Sequence, residues 1–259
     1  MQYDMNNNRI VAFITKMEAK TIRQLEKKQQ KHKTTKTIVY FKGEKCKPFI
    51  DNGFKKEGQI SGYYNGVKAS MLAKYYDNNR SITHSDESNL QTVLEKKISK
   101  SPIDIPKEYT IESLKLDDVS SLVSLYKKVF ERYPSNIFDE SYLQESINDD
   151  YFFIVAKYEG EIVSAASALI NPFKSAEITD CATDPTHRGK QLLTAIINEL
   201  EKTLRQKGIY HSYSLTRALS IGMNMTIKRM GYTYEGTLIN NCEISTGYED
   251  MNIWTKHHK

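Results

Sequence analysis

The chain lacks any apolar run near the ~20 residues needed to cross a bilayer, and its first residues, Met1 to Arg9, are polar and asparagine-rich with no apolar centre. Neither a membrane span nor a signal peptide is expected. Cysteine is scarce: Cys46, Cys181 and Cys242 are an odd set without C-x-x-C spacing, which suits neither a disulfide framework nor a zinc site. No metal is expected, and a cytoplasmic location fits. Nor is there a large excess of one charge. The formal net charge is +5, with most of the surplus between Lys16 and Lys47. Ile14, Met17, Ile22 and Leu25 recur there at helical intervals, so the lysines read as the solvated face of an amphipathic helix rather than a nucleic-acid site. What is present is an ordinary globular composition, 39% hydrophobic and 27% charged over 259 residues, enough for one large domain or two small ones.

Thr37-Ile38-Val39-Tyr40-Phe41 has the β-branched and aromatic content of a strand. A short helix ends at Asn52-Gly53, and Gln59 to Tyr63 with Val67 to Tyr76 read as a hairpin around Asn65-Gly66, a pair that accepts positive φ. Residues 1–76 thus form an α-β-α-β-β unit. Residues 77–108, polar and carrying Pro102 and Pro106, are a connector with one helix over Leu90, Val93, Leu94 and Ile98. Residues 109–259 read β-α-α-β-β-β-α-β-α-β-β, with a long helix through Leu192, Ile196, Leu200 and Leu204 that stops before Gly208. Gly53-Phe54-Lys55-Lys56-Glu57-Gly58 has the form of Gly231-Tyr232-Thr233-Tyr234-Glu235-Gly236. Each follows a strand and helix and precedes a strand pair, so the chain reads as a partial copy of a module followed by a whole one.

The segment Ala176 to Thr194 carries the most information. A strand runs into the basic loop Pro185-Thr186-His187-Arg188-Gly189-Lys190-Gln191, which opens the long helix. Free N–H groups and the positive helix end converge there, as a pyrophosphate requires. Arg188 and Lys190 add charge, Gly189 lets the backbone come close, and Thr194 can donate a hydrogen bond. An ordinary strand-to-helix turn with exposed basic residues has the same pattern. Here the chain resembles the GNAT superfamily of acetyltransferases, whose R-x-x-G-x-G/A motif holds the pyrophosphate of acetyl-CoA. The resemblance implies a GNAT fold, an α/β (α+β) domain with a mixed central sheet, preceded by a smaller partial GNAT-like α/β unit. It implies acetyl-CoA as co-substrate, held by Cys181, Ala182, Thr183, Arg188, Gly189, Lys190, Gln191, Leu192, Leu193, Thr194 and Ser220. Arg188 matches the first motif position, while Gln191 and Leu193 replace small residues, so a retained site with a wider or shifted loop is expected. Ile227 stands where the family often has a tyrosine acid. Thr179 to Thr183, Thr216 to Asn224, Asn240 to Ile244 and Glu249 to Trp254 narrow the resemblance to the bacterial and archaeal β-lysine N-acetyltransferases.

Acetyl transfer needs a neutral amine, whereas a lysine-like ammonium with pKa ~10.4 is protonated at neutral pH. Glu177 and Asp180 are the catalytic candidates, Glu177 as base and Asp180 as ammonium anchor. Side chains alternate along a strand, so both reach one cleft only if a bulge intervenes. N–H groups around Cys181 to Thr183 are the expected oxyanion donors. Cys181 itself is read as packing, and His187 as a solvent-facing loop residue. For the acceptor, Arg217 is the candidate carboxylate binder, with Asn224, Asn240, Asn241 and Glu249 as further pocket residues. The resemblance implies β-lysine as acceptor and N-ε-acetyl-β-lysine, a compatible solute under salt stress, as product. Another small amine, or a binding module with a degenerate site, are the alternatives. The partner expected is thus a small amine, with no nucleic acid and no membrane, and a homodimer is compatible with this reading. The N-terminal unit lacks an Arg-x-x-Gly-like loop, so it is expected to bind no cofactor and instead to pack on, or partly wall, the cleft.

Overall fold

The structure is a computed structural model that describes residues 1–83, 85–98, 102–244 and 247–258. The first half contributes β1 (Gln2–Asp4), β2 (Arg9–Ile14), α1 (Thr21–His32), β3 (Lys36–Lys42), α2 (Lys47–Ile50), β4 (Lys55–Tyr64) and β5 (Val67–Tyr75). After α3 (Glu87–Glu95) come β6 (Tyr109–Ser113), α4 (Val119–Val129), α5 (Glu140–Ser146), β7 (Tyr151–Tyr158), β8 (Glu161–Ile170) and β9 (Ala176–Thr183). Then follow α6 (Leu192–Gln206), β10 (His211–Arg217), α7 (Ile221–Arg229), β11 (Thr233–Ile244) and β12 (Gly247–His257). Among the described residues the strands make one sheet in the order β1-β2-β3-β5-β4-β11-β12-β10-β9-β8-β7-β6.

Alternation along the central strands explains why helices cover both faces. On β7, Ile154 and Ala156 pack with Leu192, Ile196, Ile197, Leu200 and Leu204 of α6. Their neighbours Phe153 and Val155 pack on Val119, Leu122, Val123 and Tyr126 of α4. Burial of each such aliphatic side chain contributes about 1.5–3 kcal/mol. None of the described helices is long and apolar enough to cross a membrane.

One expectation is corrected at the N-terminus. The first helix begins at Thr21, and Ile14 belongs instead to β2, where Ile10, Ala12 and Ile14 are buried in alternation. That period of two, in a run rich in β-branched and aromatic residues, marks a strand. With β1 also present, the N-terminal unit is β-β-α-β-α-β-β rather than α-β-α-β-β.

The hexapeptide echo lies at the seam of the sheet. β4 pairs antiparallel with β11, and Gly58 stands opposite Gly236. A Cβ on Gly58 would sit 2.6 Å from the Glu235 carbonyl oxygen, and one on Gly236 would collide with that of Glu57. The two glycines therefore permit the same close approach from opposite sides. The preceding glutamates cross the seam reciprocally. Glu235 accepts from Ser61 N at 2.8 Å and Ser61 Oγ at 2.6 Å, and Glu57 accepts from Ile239 N at 3.2 Å. The order β2-α1-β3-α2-β4-β5 is repeated by β9-α6-β10-α7-β11-β12, with the same sheet neighbours.

Candidate active site

β9 and β10 pair in parallel for only two residues, Ala176 with Ser212 and Glu177 with Tyr213. Beyond that point β9 bulges. Against β8, Thr179 faces Ser167 and Ala182 faces Ala165, so Asp180 and Cys181 together oppose Ala166. Asp180 takes φ 51°, a left-handed conformation that aspartate tolerates better than most side chains. The strands part and leave a cleft of about 1210 Å³, lined by Glu177, Asp180 and Cys181, by the loop from His187 to Thr194, and by Arg217 and Ser220. Arg9 and Tyr40 of the first half also line it.

The bulge resolves the alternation problem, because it brings both acids of β9 to the same cleft. Burial pushes the Glu177 carboxyl up to about 7, and the nearby Asp180 adds to the rise, although the Tyr213 hydroxyl donates to it at 3.2 Å. Asp180 is buried, and its Oδ2 accepts from Ser167 Oγ at 2.5 Å and the Tyr151 hydroxyl at 2.7 Å. Burial also raises its pKa. The Cys181 thiol is driven up by burial and by the two carboxyls beside it, the opposite of what a thiolate nucleophile needs.

Past β9, Asp184 fastens the loop. It accepts from Thr186 N at 3.0 Å, Thr186 Oγ1 at 2.8 Å and Lys128 Nζ at 2.6 Å, and chiefly the Lys128 contact holds its carboxyl down at about 2. Gly189 has φ 80° and open space where a side chain would be. Gln191 at the helix N-cap has φ 59°, the left-handed conformation glycine favours, and here a glutamine adopts it. The N–H groups of Leu192, Leu193 and Thr194 have no acceptor among the described residues. His187 departs from expectation. It is half-buried between Tyr109 and Tyr158, with Nδ1 2.9 Å from the Tyr109 hydroxyl.

This arrangement of parted parallel strands and open helix start has named counterparts. The model of the acetyltransferase (GNAT) family matches residues 119–232. N-acetyltransferase YodP of Bacillus subtilis (strain 168) is 38% identical over 224 residues, covering 85% of this chain and 82% of the relative. The chain belongs to the GNAT acetyltransferase family. It is thus an acetyl-CoA-dependent N-acetyltransferase. A relative named β-lysine N(6)-acetyltransferase, from Methanosarcina mazei, is 35% identical over 249 residues, covering 86% of this chain and 92% of its own. Among solved structures, the ribosomal-protein-S5-alanine acetyltransferase of Vibrio fischeri superposes with TM-score 0.52 at 14% identity, covering 60% of this chain and 95% of that one. YncA of Salmonella typhimurium, solved with its cofactor acetyl-CoA, gives 0.51 at 14% identity over 59% and 95%. These two carry the fold alone.

The GNAT cleft fits a CoA thioester. Three open amides, the Arg188 and Lys190 cations and an unobstructed Gly189 stand at the start of α6, and Glu177 lies on the strand that leads there. Ser220, at the N-cap of α7, lines the same space.

The expected acceptor residues are divided by the structure. Arg217 lines the cleft, but its Nε and Nη2 are engaged by Glu249 at 2.7 and 2.6 Å, which closes the forked edge a substrate carboxylate would need. Glu249 is that partner and does not line the cleft. Asn224 is buried and fully used: its Oδ1 accepts from Thr216, Asn252 and Trp254, and its Nδ2 donates to the carbonyls of Arg217 and Ser220. It ties α7 to β10 and β12 rather than meeting substrate. Asn240 is likewise buried outside the cleft, its Nδ2 donating to the carbonyls of Arg80 and Ile82. Asn241 does line the cleft. Arg9 and Tyr40 were missed because their approach to Glu177 depends on how the two halves meet, and Tyr213 because its pairing with Glu177 across β9 and β10 joins strands far apart in the chain, which no local pattern reports.

Proposed function

We propose that this enzyme moves the acetyl group of acetyl-CoA onto the side-chain amine of β-lysine, giving N-ε-acetyl-β-lysine for use as a compatible solute. The observation that carries the chemistry is Glu177, a carboxyl raised to about 7 in the wall of a cleft that also holds the open start of α6. A base with that pKa is ionised in much of the population at neutral pH and still basic enough to accept a proton from an incoming ammonium. The Tyr213 hydroxyl steadies it. Acetyl-CoA supplies the activated acyl carbon, and the backbone amides of the bulge from Cys181 to Thr183 offer donors for the oxygen that gains charge. Ile227 is fully buried and can donate no proton, but a thiol of pKa ~8.5 departs without a strong acid. The acceptor is supported by the name of the Methanosarcina mazei relative, a β-lysine N(6)-acetyltransferase. Three free cysteines support a reducing cytoplasm as the place of work. Free-thiol release from acetyl-CoA in the presence of β-lysine tests the proposal, and release no faster than without the amine overturns it.

A further inference from the structure

Between Leu238 and Cys242 the pairing of β11 with β12 slips, so that Ile239, Asn240 and Asn241 together oppose Asp250. The N-terminal unit and the connector hold this three-residue bulge in place. Lys36 Nζ donates to the Ile239 carbonyl at 2.6 Å, Glu57 accepts from Ile239 N, and Arg80 and Ile82 receive the Asn240 side chain. Asp250 accepts from Asn240 N at 2.7 Å. The result is a rigid presentation of Asn241, which is 2% exposed and lines the cleft, yet whose Oδ1 has no hydrogen-bond partner among the described residues. A buried carbonyl left without a donor is costly unless a ligand or water supplies one.

Beside it stands the first residue of β2. Arg9 Nε is fixed by Asp4 Oδ2 at 2.7 Å and Nη1 by the Asn241 carbonyl at 2.6 Å. Nη2 has no acceptor among the described residues, and the side chain is 14% exposed within a position that lines the cleft. Here, then, a pre-oriented guanidinium keeps an unspent donor group, whereas Arg217 has its fork occupied by Glu249.

We propose that Arg9 and Asn241 form the subsite that reads the head of the acceptor, Arg9 Nη2 donating to its carboxylate and Asn241 Oδ1 accepting from the neighbouring ammonium. The acceptor's far amine then lies toward Glu177. The charge of Arg9 is felt at both Glu177 and Tyr40, so the groups share one compartment. The proposal rests on the amine-acceptor reading above and adds its selectivity. A guanidinium in the cleft wall repels a plain diamine or polyamine and rewards an amino acid, so discrimination comes from the N-terminal unit and not from the GNAT domain's own Arg217.

The test compares kcat/KM for β-lysine with that for 1,4-diaminopentane, which is β-lysine without its carboxylate, in wild type and in Arg9→Gln. Both substrates are measured on one preparation, so the ratio is independent of how much of the variant folds. Wild type is expected to favour β-lysine by about 100-fold or more, falling to within about threefold in Arg9→Gln through KM. An unchanged ratio overturns the Arg9 assignment. Asn241→Leu should cut the preference for β-lysine over 6-aminohexanoate, which lacks the second amine, by about tenfold, and no change there removes Asn241. Calorimetry of β-lysine on the CoA-saturated enzyme separates this idea from the function it rests on. Binding that Arg9→Gln weakens, without thiol release by wild type, keeps the subsite and sinks the reaction; no binding to wild type sinks both.

Discussion

In the first half of the chain β2 and β3 run parallel through six register pairs, from Arg9 with Lys36 to Ile14 with Phe41, while in the second half β9 and β10 hold only two. The connectivity around each pair is the same, a strand, a helix, a second strand, a shorter helix and a hairpin. What differs is local. β9 carries the Asp180–Cys181 bulge and an open, glycine-bearing turn, whereas β2 stays in register and its crossing segment closes the first amide of α1, Thr21 N donating to the Glu18 carbonyl and Glu18 N to Thr21 Oγ1. A repeated topology is therefore not enough for a cofactor crevice; a parallel pair must also be forced apart. The closed copy has become a wall whose strand start, Arg9, meets the cleft of the open one.

The comparison is broken most severely at Glu177. Glu177→Gln should lower kcat/KM by about 10²–10⁴ in the thiol-release assay and flatten the rise of rate that wild type shows as pH passes about 7. The same substitution has a stability signature of opposite sense. Burial holds the folded-state pKa above the ordinary 4.5, so this carboxyl favours the folded state below that value and loses the contribution as pH climbs through about 7. At pH 8 Glu177→Gln should thus melt a few degrees higher than wild type, and at pH 4 the two should coincide.

Next comes the seam. Gly236→Ala should cost about 3 kcal/mol in urea unfolding, because its Cβ meets backbone and its φ of 138° is one that side chains rarely adopt. Gly58→Ala meets a comparable contact without the positive φ and should cost less, and equal losses would mean that the close approach alone decides. A paired experiment on two open glycines sharpens the contrast between the halves. Gly189→Ala and Gly43→Ala both force an alanine to positive φ with no atom within 4 Å, yet only the former should weaken coenzyme A binding, by about tenfold in calorimetry. The smallest effect is expected at Cys181. With its thiol pushed far from ionisation, Cys181→Ala should keep kcat within about threefold, and a collapse would reinstate it as a nucleophile.

What could be read in advance follows from the range of the signals. The long helix, its stop at Gly208 and the hairpin at Asn65-Gly66 are written in contiguous residues, and each is present, with φ 50° and 89° at the turn. The basic loop was legible for the same reason. The first two strands were not, since Gln2–Asp4 and Arg9–Ile14 are short and the apolar residues of the latter merge with those of the following helix into one ambiguous period. The acceptor side was the hardest. Arg217, Asn224, Asn240 and Glu249 are polar residues next to a cleft, and sequence does not say which of them neutralise one another across β10, β11 and β12. Asn240 and Asn241 are adjacent in the chain, yet a slipped register sends one into the scaffold and the other to the cavity.

The reciprocal glycine–glutamate contact between β4 and β11 has the form of a two-fold subunit interface drawn inside a single polypeptide. Two separate subunits would come apart on dilution and would be obliged to stay alike, because one gene would write both. Covalent continuity removes both constraints: the partnership survives at any protein concentration, and each side is free to change without the other. One side could thus seal itself and lend an arginine while its twin kept the catalytic opening.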